Sequence, residues 1–119
     1  MSMDTLNTIR ASSGPRQTVG IDDSTIAQFL AIDPSLAEAI KDAGRRYAAL
    51  QAEFPDLLAG DEAAAIADVQ SDFVNFYPEN TVNPYLTLAA SGPWIITTHG
   101  AVIHDNGGYG MLGMGHAPK

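Results

Sequence analysis

The sequence predicts an α+β fold in which amphipathic helices precede a small three-stranded antiparallel β-meander. A chain of 119 residues is long enough for one hydrophobic core and too short for two substantial domains. Twelve of its 14 acidic residues lie between positions 21 and 80, where apolar residues recur with helical spacing. From Thr81 onward the only charged side chains are Asp105 and Lys119, and this stretch holds seven of the 11 glycines. We therefore expect an acidic helical region over 21–80 and a loop plus a glycine-rich β-meander over 81–119.

Residues 1–20 show neither pattern. They mix Ser, Thr, Gly and Pro without apolar periodicity, and such a segment at a chain terminus is typically poorly ordered. We expect a mobile N-terminal arm here.

Helix boundaries in the acidic region are marked by capping residues and prolines. Asp22 or Asp23 is placed to cap a short helix, and Asp33-Pro34 ends that helix and opens the next one. Ser35–Glu38 matches the S-x-x-E capping box. A third helix is expected to start at Asp61.

Two of these helices carry apolar stripes. The second has Leu36, Ile40, Ala43, Tyr47, Leu50 and Phe54 at alternating steps of four and three, and the third has Ile66, Val69, Phe73 and Phe76. Glu62 lies in the first turn of the third helix, where the helix dipole favours an acid. We expect an antiparallel helix pair that buries both stripes, with the aromatic side chains in the core.

The meander is predicted from β-branched runs and turn residues. Trp94–Thr98 is the first expected strand, and Ala101–Asp105, after a turn at His99-Gly100, is the second. Asn106-Gly107 favours a type I′ hairpin, so a third, glycine-weakened strand should begin at Gly108. The short apolar run before Trp94, residues 85–90, lies between turn signals and is expected to belong to a loop.

Composition excludes several classes of function. A net charge of −8 and a pI near 4.4 disfavour binding to nucleic acid or to an anionic membrane. With no cysteine, the chain has no disulfide framework, thiolate metal site or cysteine nucleophile. No apolar run approaches the ~18 residues of a membrane span, and the start lacks a secretion signal. We expect a cytoplasmic protein.

Candidate chemical motifs are incomplete. Gly108–Gly113 matches G-x-G-x-x-G, but the helix and ribose-binding acid of a dinucleotide site do not follow it. The three histidines and Asp105 form the one plausible metal or acid–base set, namely His99, His104 and His116. Their spacing lacks the pair four apart typical of metal-binding helices, so we expect histidines that hydrogen-bond nearby backbone. Neither Lys41 nor Lys119 lies in an apolar stretch suited to Schiff-base chemistry.

An ordered set of residues near the end of the chain carries a family resemblance. It consists of Gly100-Ala101, Asp105, Gly107, Tyr109 and Gly115-His116-Ala117-Pro118. This set resembles the opening segment of class III (omega-type) pyridoxal-phosphate-dependent aminotransferases, and the similar stretch, residues 92–119, covers about a quarter of the chain. The spacing between Tyr109 and Gly115 is shorter than the family's usual spacing, and the helical region before it is longer.

The resemblance implies part of the small domain of a fold-type I aminotransferase, truncated at the start of a helix. The parent enzyme would transfer an amino group from an amine or amino acid to a keto acid and would act as a homodimer. Its Schiff-base lysine for pyridoxal 5'-phosphate would lie beyond residue 119, so this 119-residue chain should be inactive alone. The implied substrate-side residues are Tyr85, Met111, Leu112 and Met114, and the implied cofactor-side residues are Gly110 and Gly113. A meander core is the alternative role for the leucine and the two methionines.

A second hypothesis needs no enzyme. The acidic helices would form a non-enzymatic oligomerisation or partner-binding module, and the meander would offer a strand edge for pairing.

Overall fold

The computed structural model describes residues 2–71 and 85–104 and confirms an α+β architecture. Five helices of this part of the chain precede a three-stranded antiparallel sheet that packs against the long third helix. The elements are α1 Ser2–Ser12, α2 Asp23–Leu30, α3 Pro34–Glu53, α4 Pro55–Ala59, α5 Glu62–Ser71, β1 Thr87–Ser91, β2 Trp94–Thr97 and β3 Val102–His104. Within the described ranges, no helix combines the length and apolar character that a membrane crossing requires.

The prediction of a mobile N-terminal arm is wrong for residues 2–12, which form α1. Leu6 and Ile9 are fully buried in the core of the molecule. α1 packs on α3, and the contact is close because Gly44 of α3 has no side chain: a Cβ at that position would lie 2.8 Å from Cγ2 of Thr5. An isolated helix of this length is marginal in water, so packing on α3 rather than local propensity stabilises it.

Helix capping follows the predicted signals at α2 and differs at α3. Asp22 caps α2, with Oδ1 accepting a hydrogen bond from the Thr25 amide at 2.8 Å. At α3 the predicted capping box at Ser35–Glu38 is wrong, because Asp33 is the cap and accepts from the Ser35 amide at 3.0 Å. Proline at the first helical position needs no amide partner, so α3 begins earlier than a serine cap would place it.

The first part of the α3 stripe is buried as predicted, but its packing partner differs. Its first four members, Leu36, Ile40, Ala43 and Tyr47, are buried, whereas Phe54 is 49% exposed. The stripe packs on β1, β2 and α1, and α5 contacts α4 instead of lying along α3. The predicted antiparallel helix pair is therefore wrong for the described part of α5. The Phe73 and Phe76 positions lie outside the described residues.

The sheet has the order β1-β2-β3 with both pairings antiparallel. The predicted strands at 94–98 and 101–105 correspond to β2 and β3. The third strand of the observed sheet is β1, which precedes them in a stretch that we expected to be loop. The predicted Asn106-Gly107 hairpin and the strand from Gly108 lie outside the described residues.

Candidate functional site

The structure describes one of the six residues that the resemblance assigns to substrate or cofactor. Tyr85 is half-buried and lies two residues before β1. The other five, Met111, Leu112, Met114, Gly110 and Gly113, lie outside the described residues. The substrate and cofactor roles of these six residues therefore remain predictions.

The turn between β2 and β3 is a buried, extensively hydrogen-bonded connection. The Thr97 amide donates to the Ala101 carbonyl at 3.0 Å, and the Thr97 hydroxyl accepts from the Ala101 amide at 2.9 Å. Gly100 has φ +85°, a left-handed conformation that glycine adopts without steric cost. The turn of the strand–glycine–strand unit, residues 94–104, is thus closed by hydrogen bonds between Thr97 and Ala101.

His99, within this turn, hydrogen-bonds a backbone carbonyl, but one that lies 39 residues away along the chain and not nearby as predicted. Its side chain is 1% exposed, and its Nε2 lies 3.0 Å from the carbonyl oxygen of Gly60. A carbonyl can only accept, so Nε2 carries the proton, and Nδ1 accepts from the Thr98 hydroxyl at 2.9 Å. Both ring nitrogens are engaged, which leaves His99 unavailable as a metal ligand or general base.

His104, at the end of β3, is exposed and belongs to an aromatic cluster. Its ring centroid lies 4.8 Å from that of Trp94 and 6.3 Å from that of Phe29. The Trp94 indole donates to Oδ2 of Asp33 at 2.8 Å. Hydrogen bonds from the Ser35 hydroxyl and then from this indole lower the pKa of Asp33. In the described ranges, no three His, Asp or Glu side chains converge to hold a metal ion.

Glu62 is a buried carboxylate. The sequence predicted its place in the first turn of a helix but not its burial. The residue is 0% exposed, and its Oε1 accepts from the amides of Gln17 at 2.8 Å and Thr18 at 2.7 Å. Its own amide donates to the Pro15 carbonyl at 2.9 Å. Among the described residues, its Oε2 has no hydrogen-bond partner. Glu62 therefore joins the start of α5 to the loop that follows α1, a contact that no local sequence signal predicts.

A second polar feature that the sequence did not reveal is a cavity of about 360 Å³ bordered by Arg10, Arg16 and His99. Arg10 Nε donates to the Gly100 carbonyl at 2.9 Å, and its Nη1 pairs with Asp23 at the same distance. Because these contacts and those of His99 are internal, the cavity wall is a structural junction between α1, α2 and the β2–β3 turn.

No protein-family model, curated protein sequence or solved structure matches this chain. The resemblance of residues 92–119 to aminotransferases therefore stays a prediction.

Proposed function

We propose that this chain is the N-terminal part of a class III pyridoxal-phosphate-dependent aminotransferase, which transfers an amino group from an amine or amino acid to a keto acid. The observation that carries the proposal is the strand–glycine–strand unit. β2 ends at Thr97, Gly100 takes a positive φ in the turn, and β3 ends at His104, directly before Asp105. This order of elements is the one that the resemblance implies for the opening of the family.

In this proposal the chain supplies a wall of the substrate pocket and part of a dimer interface. All four residues of β2 are buried, so β2 supports the wall without forming it. The wall itself comes from residues that flank the unit, which are Tyr85, Met111, Leu112 and Met114. By the resemblance, the backbone at Gly110 and Gly113 would approach the cofactor.

The described residues do not fit pyridoxal phosphate itself. Lys41 is exposed on α3, beside a cavity of about 380 Å³ whose lining includes Glu38, Asp42, Arg45 and Arg46. A Schiff-base lysine needs an apolar or otherwise activating pocket, which this charged surface does not provide. We assign no cofactor contact to residues 2–71 or 85–104. In the parent enzyme the cofactor would supply the electron sink, and its lysine would lie beyond residue 119.

The test is the reading frame that follows the codon for Lys119. We expect it to continue into a sequence with a Ser-Gly phosphate contact and a later lysine. The longer product should show a Schiff-base absorption band, and borohydride should fix the cofactor onto that later lysine. The 119-residue chain is the matched control and should show no band. A stop codon directly after Lys119, or an adduct on Lys41, would contradict the proposal. The stop codon would favour the acidic partner-binding module.

A further inference from the structure

An open groove lies between the end of α3 and the pair α4–α5. Its volume is about 450 Å³, within the range of about 300–1,000 Å³ that is typical of ligand pockets. Much of the lining is apolar and includes Phe54, Leu57 and Ala65. The groove shares no lining residue with the strand–glycine–strand unit, so binding there is independent of the proposed function.

Phe54 is exposed in this groove for a local reason. It precedes Pro55, and a residue before proline is driven away from helical geometry; its φ is −131°. α3 therefore ends, and the ring leaves the stripe that covers the sheet. Phe54 remains 49% exposed and stands outside the core cluster. The exposed ring lines the groove, and aromatic side chains are enriched in protein interfaces.

The charged side chains of the described residues that line this groove are all acidic. Glu53, Asp56 and Asp68 contribute carboxylates to its lining, and no lysine or arginine of the described residues lines it. The chain as a whole carries −8. Such a concave surface attracts cations and repels another acidic surface.

We propose that this groove, bordered by Phe54, Leu57, Ala65 and the three carboxylates, binds a polypeptide segment that carries lysine or arginine beside a large apolar side chain. The apolar side chain packs on the Phe54 ring inside the groove. The basic side chains extend along the rim and pair with Glu53 and Asp56. The charge of the groove argues against a second copy of this acidic chain as the occupant.

The experiment uses the 119-residue chain and three fluorescein-labelled synthetic 12-mers. One alternates lysine with leucine, one replaces each lysine with glutamate, and one replaces each leucine with glycine. We expect fluorescence anisotropy to report binding of the lysine–leucine peptide and clearly weaker binding of the other two. Backbone amide shifts on binding should be concentrated at residues 53–68.

Two variants locate the site. Phe54→Ala should weaken the lysine–leucine peptide about tenfold, as expected for loss of an aromatic anchor. The control Ile32→Ala removes another exposed apolar side chain, one that does not line the groove, and should leave affinity unchanged. Asp56→Asn should weaken binding about threefold at low salt, in the range of an exposed ion pair. Asp23→Asn changes the net charge equally and should have no effect.

Three results would overturn the proposal. One is equal affinity for the lysine and glutamate peptides, and another is equal loss of affinity in Asp56→Asn and Asp23→Asn. The third is a dimer of the free chain in sedimentation that Phe54→Ala dissolves, because it would assign the groove to a second copy. Circular dichroism checks that each variant keeps its helices, which we expect since neither Phe54 nor Asp56 belongs to the core.

Discussion

Replacing Glu62 with alanine should destabilise the fold far more than replacing an exposed glutamate. The carboxylate is fully buried and accepts two backbone hydrogen bonds, from Gln17 and Thr18. A hydrogen bond to a charged group is worth about 1.5–3 kcal/mol. Because Gln17 is exposed and its amide can bind water in the variant, we take the lower value for each bond. The expected loss in the free energy of unfolding is about 3 kcal/mol.

Glu62→Gln separates the charge from the geometry. The amide oxygen can accept the same two hydrogen bonds, now as neutral ones of roughly half the strength. The Oε2 position has no hydrogen-bond partner among the described residues, so an amide nitrogen there breaks none of their bonds. We expect a loss of about 1.5 kcal/mol, half that of the alanine variant.

Urea unfolding followed by tryptophan fluorescence measures both variants. The chain has one tryptophan, Trp94, which is 0% exposed and so reports on the core. With a slope of about 1.5 kcal/mol per molar urea, Glu62→Ala should lower the midpoint by about 2 M. The control Glu53→Ala, at an exposed position, should change stability by less than about 0.5 kcal/mol.

Hydrogen exchange gives the local readout. The amides of Gln17 and Thr18 should lose protection in Glu62→Ala and keep most of it in Glu62→Gln. A midpoint shift in Glu62→Ala no larger than in Glu53→Ala, with both amides still protected, would refute the role assigned to the buried carboxylate.

Three further predictions concern the turn, a helix cap and a buried hydroxyl. Gly100→Ala should lower the free energy of unfolding by about 1–3 kcal/mol, because φ is +85° and the new Cβ would lie 2.6 Å from Cγ of Arg10. Thermal unfolding measures this loss. The control Gly60→Ala should be tolerated, because its φ is −73° and the nearest contact of its new Cβ would be at 3.5 Å. Hydrogen bonds lower the pKa of Asp33 in the folded state. The stabilisation from its carboxylate is therefore complete above the unfolded pKa, about 4, and is lost as the pH falls through the folded pKa. Between pH 6 and pH 2, the urea midpoint of Asp33→Asn should fall less steeply than that of the wild type. Tyr47→Phe removes the 2.9 Å hydrogen bond between the Tyr47 and Ser13 hydroxyls. The free energy of unfolding, measured with urea, should fall by about 1 kcal/mol.

The elements that the sequence predicted well have strong local signals. α3 combines a long apolar stripe with a proline at each end, and both features act within a few residues along the chain. The order of β2, turn and β3 likewise follows from β-branched residues on either side of Gly100. The predicted packing partner of the α3 stripe was wrong, because an apolar stripe specifies that a helix face is buried but not which element covers it.

The missed elements depend on distant contacts. α1 has its apolar residues at Met3, Leu6 and Ile9, a stripe too short to recognise in a segment rich in Ser and Thr, and it is stabilised by packing on α3. β1 lacks the β-branched residues typical of strands apart from Thr87, yet pairing with β2 outweighs this weak propensity. The burial of Glu62 arises from contact with residues 15–18, far away along the chain.

Hydrogen bonds join residues near the two ends of the described chain. The Ile21 amide donates to the Val102 carbonyl at 2.9 Å, and the Arg10 side chain donates to the Gly100 carbonyl. Residues of α1, α3 and β2 are buried together in one cluster. β2 is thus already covered from within the described part of the chain, and its four buried residues offer no surface for a further contact. None of the residues that line the groove at Phe54 belongs to β2, so the proposed peptide contact does not involve the covered sheet.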